Sequence, residues 1–99
     1  IMATFDQIIQ SNSLVLVDFF ATWCGPCQTM APILQDLKEF YQDDLSIIKI
    51  DVDKNSKIAS IFKVSGVPTF VLFKDGQQVW RQSGMIPKME LHKLIDQVK

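Results

Sequence analysis

Five consecutive residues, Trp23-Cys24-Gly25-Pro26-Cys27, constrain what this chain can fold into more than any other stretch. They contain its only two cysteines and separate an apolar run from a one-sided apolar stripe, which predicts a strand-to-helix junction. Cysteines three residues apart on a first helical turn lie on one side of the helix, and the first of them meets the free amides and the positive end of the helix dipole. Gly25 lets another backbone approach closely, and Pro26 suits a first helical turn. The motif therefore predicts a redox-active dithiol.

Three other interpretations of the cysteine pair remain open at this point. A zinc site normally needs four ligands, and the single histidine, His92, lies far along the chain. A purely structural disulfide gains little from closing so short a loop. Two unrelated core cysteines are the third alternative, because free cysteine is often buried. We favour redox chemistry because the motif combines the spacing, the glycine and the proline.

Composition limits the remaining function classes. Ninety-nine residues predict one domain over residues 1–99 with a single core. Ten basic and eleven acidic residues give a formal net charge of −1, which predicts no nucleic-acid partner. The apolar runs are too short to cross a membrane. Segment 51–55 begins like a calcium loop but lacks the glycine and glutamate that such a loop requires. We expect Met2 to be the start and the location to be cytoplasmic, although a trimmed form of an exported precursor would look the same.

Hydrophobic periodicity predicts an α/β fold with the element order α-β-α-β-α-β-β-α. The predicted elements are helix 5–10 after a Thr4/Gln7 capping box, central strand 14–20, a helix beginning at the cysteine motif, strand 45–52, a short helix capped by Asn55 or Ser56, strands 69–73 and 77–83 joined by Asp75-Gly76, and a helix carrying Leu91, Leu94, Ile95 and Val98. Strands 45–52 and 77–83 are expected at the two sheet edges. His92 is expected to be solvated, and Trp80 to pack against the core.

Several short segments together match the pattern of one known family. They are Val17-Asp18-Phe19, Ala21, the cysteine motif, Ala31-Pro32, Lys49, Gly66-Val67-Pro68-Thr69 and Gly84. In these residues, over nearly its whole length, the chain resembles the thioredoxin family. The resemblance implies a thioredoxin fold, with helices on both faces of a mixed central sheet of four, or alternatively five, strands.

The resemblance also implies the catalytic roles. Cys24 is expected to be the attacking thiolate and Cys27 the resolving thiol. Asp18 is expected to be a buried carboxylate, near Lys49, that assists proton transfer to and from Cys27. The alternative is a solvent-facing strand residue, since aspartate is rarely buried, but the apolar neighbours of Asp18 favour burial. Burial should raise the pKa of Asp18, and Lys49 should partly oppose that rise.

A client-binding groove beside the cysteines is the next implication of the resemblance. A cis peptide is expected before Pro68, facing the cysteines. The residues expected to contact the client are Trp23, Gly25, Pro26, Gly66, Val67, Pro68, Gly84 and Met85.

The implied function is that of a protein disulfide reductase and general cytoplasmic electron donor. No cofactor is expected to be bound, because the redox-active group is the Cys24–Cys27 disulfide, recharged by an NADPH-dependent thioredoxin reductase. The expected partners are that reductase and disulfide-containing client proteins, and the chain is expected to be a monomer. Two alternatives stay open: a thiol oxidase or isomerase, and a binding subunit that grips a partner through the groove around Trp23, Val67 and Met85.

Four features depart from the family pattern. Only residues 1–3 precede the first predicted helix, where the family usually has an additional strand, so the sheet is expected to have four strands unless a fifth lies in sequence not given. Phe20 stands where many members have tryptophan, and Gln28 stands where a basic residue is common. Met85 occupies a docking position that is often smaller, which is expected to alter client choice.

Overall fold

The computed structural model describes residues 4–99, and these alternate helices and strands in the predicted order. The elements are α1 (Phe5–Ile9), β1 (Leu14–Phe20), α2 (Gly25–Tyr41), a 3₁₀ turn (Gln42–Asp44), β2 (Ser46–Asp51), α3 (Ser56–Ile61), β3 (Thr69–Lys74), β4 (Gln77–Ser83) and α4 (Lys88–Val98). Their ends lie within a few residues of the predicted ones. The expectation about residues 1–3 lies outside the described residues.

One mixed sheet of four strands, in the order β2-β1-β3-β4, runs through the described chain. Strand β1 is parallel to β2 and antiparallel to β3, and β3 is antiparallel to β4. Within residues 4–99, β2 and β4 therefore lie at the two edges, as predicted. In the register, Asp18 lies opposite Lys49 on β2 and opposite Phe70 on β3.

The central strand β1 divides the core into two halves. Its side chains alternate between the two faces of the sheet, and its first six residues are all buried. Leu14 and Leu16 pack with α2 and α4, in a cluster that also contains Met30, Leu34, Leu37, Leu91 and Ile95. Val15, Val17 and Phe19 pack on the opposite face with Ile9 of α1 and, partly buried, Ile58 of α3. Coverage on both faces explains why this strand is a nearly unbroken apolar run.

The buried stripe of α2 begins at the second cysteine. Its buried residues are Cys27, Met30, Leu34, Leu37 and Tyr41, which recur every three or four positions as one helical face requires. At the other end, Lys38 Nζ donates to the carbonyls of Gln42 and Leu45, at 2.8 and 2.7 Å. Both ends of α2 are therefore anchored, which fixes the cysteine motif relative to the sheet.

The hairpin between β3 and β4 turns at Asp75-Gly76, as predicted. Both residues have positive φ, 50° and 83°, which is the requirement of the tight turns that suit twisted hairpins. A register shift follows, because Leu72 faces Trp80 whereas Phe73 faces Gln78. Trp80 packs against the cluster under α2 and α4, so the prediction of a packing role for Trp80 is confirmed.

The prediction that His92 is solvated is wrong. Its side chain is half-buried, with its ring centroid 4.8 Å from that of Phe40 and its Nδ1 3.1 Å from the Tyr41 hydroxyl. That hydroxyl also donates to Asp96 Oδ1 at 2.8 Å. The reason is that α4 packs against the last turn of α2, so its position 92 meets the other helix.

No helix among residues 4–99 has the length and apolarity needed to cross a membrane.

Candidate active site

Cys24 and Cys27 are joined in a disulfide at the start of α2. Both residues are almost fully buried, and their Cα atoms are 5.3 Å apart. Cys24 is the N-cap of the helix, with an extended backbone, and its Sγ accepts the backbone N–H of Cys27 at 3.1 Å. After reduction this amide and the positive end of the helix dipole would favour a thiolate at Cys24. Cys27 is the third residue of the helix and lies on its buried face. The local fold therefore distinguishes the two sulfurs.

Asp18 is buried in the sheet on the face that α2 covers. Its side chain follows Leu14 and Leu16 in the alternation of β1, and its residue is only 1% exposed, which excludes the solvent-facing alternative. Among residues 4–99, Asp18 Oδ1 has no hydrogen-bond partner. Burial raises the pKa of Asp18 from 3.8 to about 6, and the positive charge of Lys49 acts in the opposite direction. Both effects have the predicted sign.

Lys49 lies on edge strand β2, directly opposite Asp18 in the parallel register. Its residue is exposed, and its Nζ lies 4.8 Å from the centroid of the Phe20 ring. This is within the range of a cation–π contact, so Phe20 offers the ammonium group a partner on the surface. In the described part of the chain, Lys49 makes no direct ion pair with Asp18, and it acts on that carboxyl through its charge alone.

Trp23 projects from the loop before α2 and forms one side of a groove. Its residue is 69% exposed, yet its indole is held in place because Nε1–H donates to Asp53 Oδ2 at 2.9 Å. The indole borders a cavity of about 140 Å³ whose other lining residues are Val52, Val64, Ser65, Gly66 and Val67. This cavity is mostly apolar and lies next to the disulfide, so it can receive an apolar part of a client.

The loop before β3 forms the opposite side of the groove. Val67 packs against the cluster that contains both cysteines, and the peptide bond between Val67 and Pro68 is cis, as predicted. The Thr69 hydroxyl donates to the Gly66 carbonyl at 2.6 Å, which holds the loop against the end of β3. The loop backbone is thereby presented beside the disulfide.

Gly84 and Met85 join the site through Pro68. The Gly84 N–H donates to the Pro68 carbonyl at 2.8 Å, and Gly84 has φ of 91°, a conformation that favours glycine. Met85 follows directly and is 51% exposed. Gly25 and Pro26 are exposed on the first turn of α2. The predicted residues therefore lie on three neighbouring segments, the cysteine motif, residues 66–68 and residues 84–85.

Asp53 is the site residue that sequence reasoning missed. It belongs to segment 51–55, whose sequence resembles only an incomplete calcium loop. Within residues 4–99 no group of three or more potential metal ligands occurs. Asp53 instead orients Trp23 across thirty positions of sequence. An acidic residue just after a strand that neighbours β1 was the only signal, and it does not specify a partner.

Comparisons with known proteins agree with this geometry. The sequence profile of the family described as Thioredoxin matches residues 2–97. Thioredoxin from Staphylococcus haemolyticus is 45% identical over 94 residues, covering 95% of this chain and 89% of the relative. Thioredoxin Y, chloroplastic, from Oryza sativa subsp. japonica is 42% identical over 95 residues, covering 95% of this chain and 56% of the relative. The chain spans about half the length of the plant relatives that it matches.

A solved structure is similar over almost the same range. A mutant thioredoxin from Halobacterium salinarum NRC-1 superimposes with a TM-score of 0.87 at 45% identity, covering 94% of this chain and 80% of that one. The fold that the sequence resemblance implied is thereby confirmed.

Proposed function

This chain belongs to the thioredoxin family, and from that premise we propose that it is a protein disulfide reductase. The observation that carries the proposal is the position of the Cys24–Cys27 disulfide, which forms the first turn of α2 beside an apolar groove. A reversible dithiol needs one sulfur that favours the thiolate form and a second that can return to it. Cys24 meets the first need as the N-cap of α2, and Cys27 meets the second because its sulfur lies within bonding reach of Cys24.

The first step is attack on the client. The Cys24 thiolate displaces one sulfur of the client disulfide, so that a Cys24–client disulfide forms and the other client sulfur leaves as a thiolate. In the disulfide form the Cys27 amide already donates to Cys24 Sγ. In the reduced form the same amide favours the negative charge on Cys24 before it attacks. Trp23 and the loop at Val67 hold the client on either side of the reacting sulfur.

The second step releases the client. Cys27 gives up its proton and attacks Cys24 Sγ, which restores the Cys24–Cys27 disulfide and expels the second client sulfur. Two electrons have then passed from the dithiol to the client. We assign the proton acceptor role to Asp18, because it lies on the sheet face covered by α2, whose buried stripe begins at Cys27.

The raised pKa of Asp18 suits this role. With a pKa of about 6, about nine in ten of the carboxyl groups are ionised at pH 7 and ready to accept a proton. The same group binds a proton more tightly than an ordinary aspartate does, which makes it a better base. Lys49 limits the rise and so keeps the carboxyl ionised near neutral pH.

The proposed partners follow from this chemistry. Disulfide-containing proteins are the clients, and an NADPH-dependent thioredoxin reductase returns two electrons to the oxidised chain. We propose that residues 1–99 act as one domain and as a monomer. The location proposed is the cytoplasm, a reducing compartment that keeps thiols reduced. Some plant relatives have names that carry the word chloroplastic.

A reduction assay tests the proposal. The oxidised chain is mixed with insulin as the protein disulfide and with dithiothreitol as the recharging reductant. We expect insulin reduction to be much faster than with dithiothreitol alone, and expect no acceleration by Cys24→Ser. Equal rates with and without the chain would refute the proposed activity.

The reduction potential distinguishes a reductase from an oxidase or isomerase. Equilibration with glutathione should give a potential below about −220 mV for a reductant, whereas a value near about −120 mV is typical of a strong thiol oxidase. A variant that lacks both cysteines and keeps all of its biological activity would instead support the binding-subunit alternative.

A further inference from the structure

We infer that Arg81 is a positioning residue for client binding, because its guanidinium group holds the segment that continues into one wall of the groove. This wall is formed by residues 64–67. The role rests on the disulfide exchange proposed above and adds to it a residue that lies outside the groove itself. Arg81 is the only arginine in the chain.

The register of the sheet explains how Arg81 reaches this segment. Arg81 lies on edge strand β4, opposite Val71 of β3. Opposed residues of an antiparallel pair share a face, and Val71 belongs to the core half that packs with α1 and α3. The half-buried Arg81 side chain therefore extends along the α3 side of the sheet. Its Nη1 donates to the Phe62 carbonyl, and its Nη2 donates to the Lys63 carbonyl at 3.0 Å.

These two carbonyls lie where α3 ends and its own hydrogen bonds stop. The helix ends at Ile61, and Lys63 has φ of 54°, the left-handed conformation that commonly terminates a helix. No basic residue lies in the last turn of α3, so the cation that meets the negative end of its dipole comes from β4. The planar guanidinium binds two neighbouring acceptors at once, which fixes an orientation that a lysine ammonium cannot fix in the same way.

The segment held by Arg81 continues directly into the wall of the groove. Val64 follows Lys63, and residues 64–67 face Trp23 across the cavity of about 140 Å³. The far end of the segment is held separately, because the Thr69 hydroxyl bonds the Gly66 carbonyl. The Val64 N–H also bonds the Ala59 carbonyl at 2.9 Å, so loss of Arg81 would remove a restraint from the first half of the wall without releasing it fully, and would leave the disulfide and its helix in place.

This arrangement predicts a difference between two kinds of substrate. A protein client extends beyond its reacting sulfur and contacts the wall, whereas a small aromatic disulfide reaches Cys24 without it. We therefore expect Arg81→Met to raise KM for insulin by about threefold to tenfold, the range that corresponds to about one lost hydrogen bond, with kcat changed less than twofold. The rate constant for 5,5′-dithiobis(2-nitrobenzoic acid) should stay within about twofold.

Two further variants make the test specific. Arg81→Lys keeps the charge, and its KM for insulin should lie between those of the parent and of Arg81→Met, because one ammonium group replaces the bidentate contact. Lys57→Met removes an equal charge from the exposed surface of α3 and should leave KM unchanged. Insulin assays use dithiothreitol as reductant. For the small disulfide the chain is reduced beforehand and separated from dithiothreitol, which would otherwise reduce that disulfide directly. Every assay is run at a temperature where circular dichroism shows each variant to be folded.

Amide hydrogen exchange gives a readout that does not depend on turnover. Arg81→Met should speed exchange at Lys63 and Val64, whose amides bond the Ser60 and Ala59 carbonyls, more than at Leu37, which lies in the core. If the parent chain is active and Arg81→Met has the same KM for insulin, the role of Arg81 is overturned while the proposed function stands. The same holds if Arg81→Met changes the KM for insulin and the rate constant for the small disulfide by the same factor. A parent chain that reduces neither substrate would overturn the proposed function together with this role.

Discussion

Replacing Asp18 with asparagine should change how stability depends on pH in a predictable way. The folded state holds the Asp18 proton up to a pKa of about 6, whereas the unfolded chain releases it near 3.8. As pH rises between these values the unfolded state binds fewer protons than the folded state, so the free energy of unfolding falls. Asparagine has the same shape and does not ionise, so this decline should be absent from Asp18→Asn.

The size of the effect follows from the same two values. A rise from 3.8 to about 6 corresponds to about 3 kcal/mol, at about 1.36 kcal/mol for each pKa unit. About 2.5 kcal/mol of this falls between pH 4 and pH 8, because ionisation of the unfolded chain has already begun at pH 4. The free energy of unfolding of Asp18→Asn, relative to that of the parent chain, should therefore rise by about 2.5 kcal/mol between pH 4 and pH 8. Any constant cost of burying the amide cancels in that comparison.

Urea denaturation of the oxidised protein, followed by circular dichroism at five pH values from 4 to 8, measures the effect. Asp44→Asn is a matched control, because it makes the same chemical change at an exposed carboxylate of the 3₁₀ turn. A difference between Asp18→Asn and the parent that varies by less than about 0.5 kcal/mol, or that shrinks as pH rises, would refute the account of Asp18. Reduction of insulin by Asp18→Asn should also be slower, because Cys27 loses its proton acceptor.

Three further substitutions probe the helix cap, the core and the groove. Thr4→Ala should lower the free energy of unfolding by about 1 kcal/mol, because it removes the side-chain oxygen that accepts the Gln7 N–H at 3.2 Å. Urea melts of Thr4→Ala and of Thr4→Ser, which keeps that oxygen, measure the loss. An equal loss of stability in the two variants would contradict the role of the cap. Leu37→Ala should cost about 2–5 kcal/mol in the same melts, since Leu37 is fully buried between α2 and the sheet, and a loss below about 1 kcal/mol would disprove its core role. Asp53→Ala should free the Trp23 indole and raise KM for insulin, whereas Asp53→Asn keeps an acceptor and should change KM less. Equal KM values in the two variants would exclude this hydrogen bond from client binding.

Local sequence patterns were sufficient to predict the order of elements and the position of the cysteine pair. The Thr4/Gln7 capping box forms as predicted, with both of its hydrogen bonds present. The nearly unbroken apolar run of β1 predicted a central strand, because only coverage on both faces accounts for it. These features depend on residues close together in the chain, and the burial of Asp18 followed from its apolar neighbours.

Side-chain contacts between distant segments could not be predicted in the same way. The bond from Trp23 to Asp53 spans thirty positions, and the contact of Arg81 with the end of α3 spans eighteen and nineteen. Each depends on strand register and on the direction in which a long side chain extends, neither of which leaves a periodic signal. His92 was misjudged for a related reason, because the polar residues around it in α4 do not reveal that the last turn of α2 packs there.

Trapping of the mixed disulfide shows which cysteine attacks the client and which one resolves it. Cys27→Ser and Cys24→Ser are each mixed with a protein disulfide, free thiols are blocked, and the products are identified by mass spectrometry. Cys27→Ser should accumulate a client bound through Cys24, because the resolving thiol is absent. Little adduct is expected with Cys24→Ser, because Cys27 lies within α2 and lacks the N-cap position that favours a thiolate at Cys24. Accumulation of client on Cys27 in Cys24→Ser, with none on Cys24 in Cys27→Ser, would contradict the assigned roles.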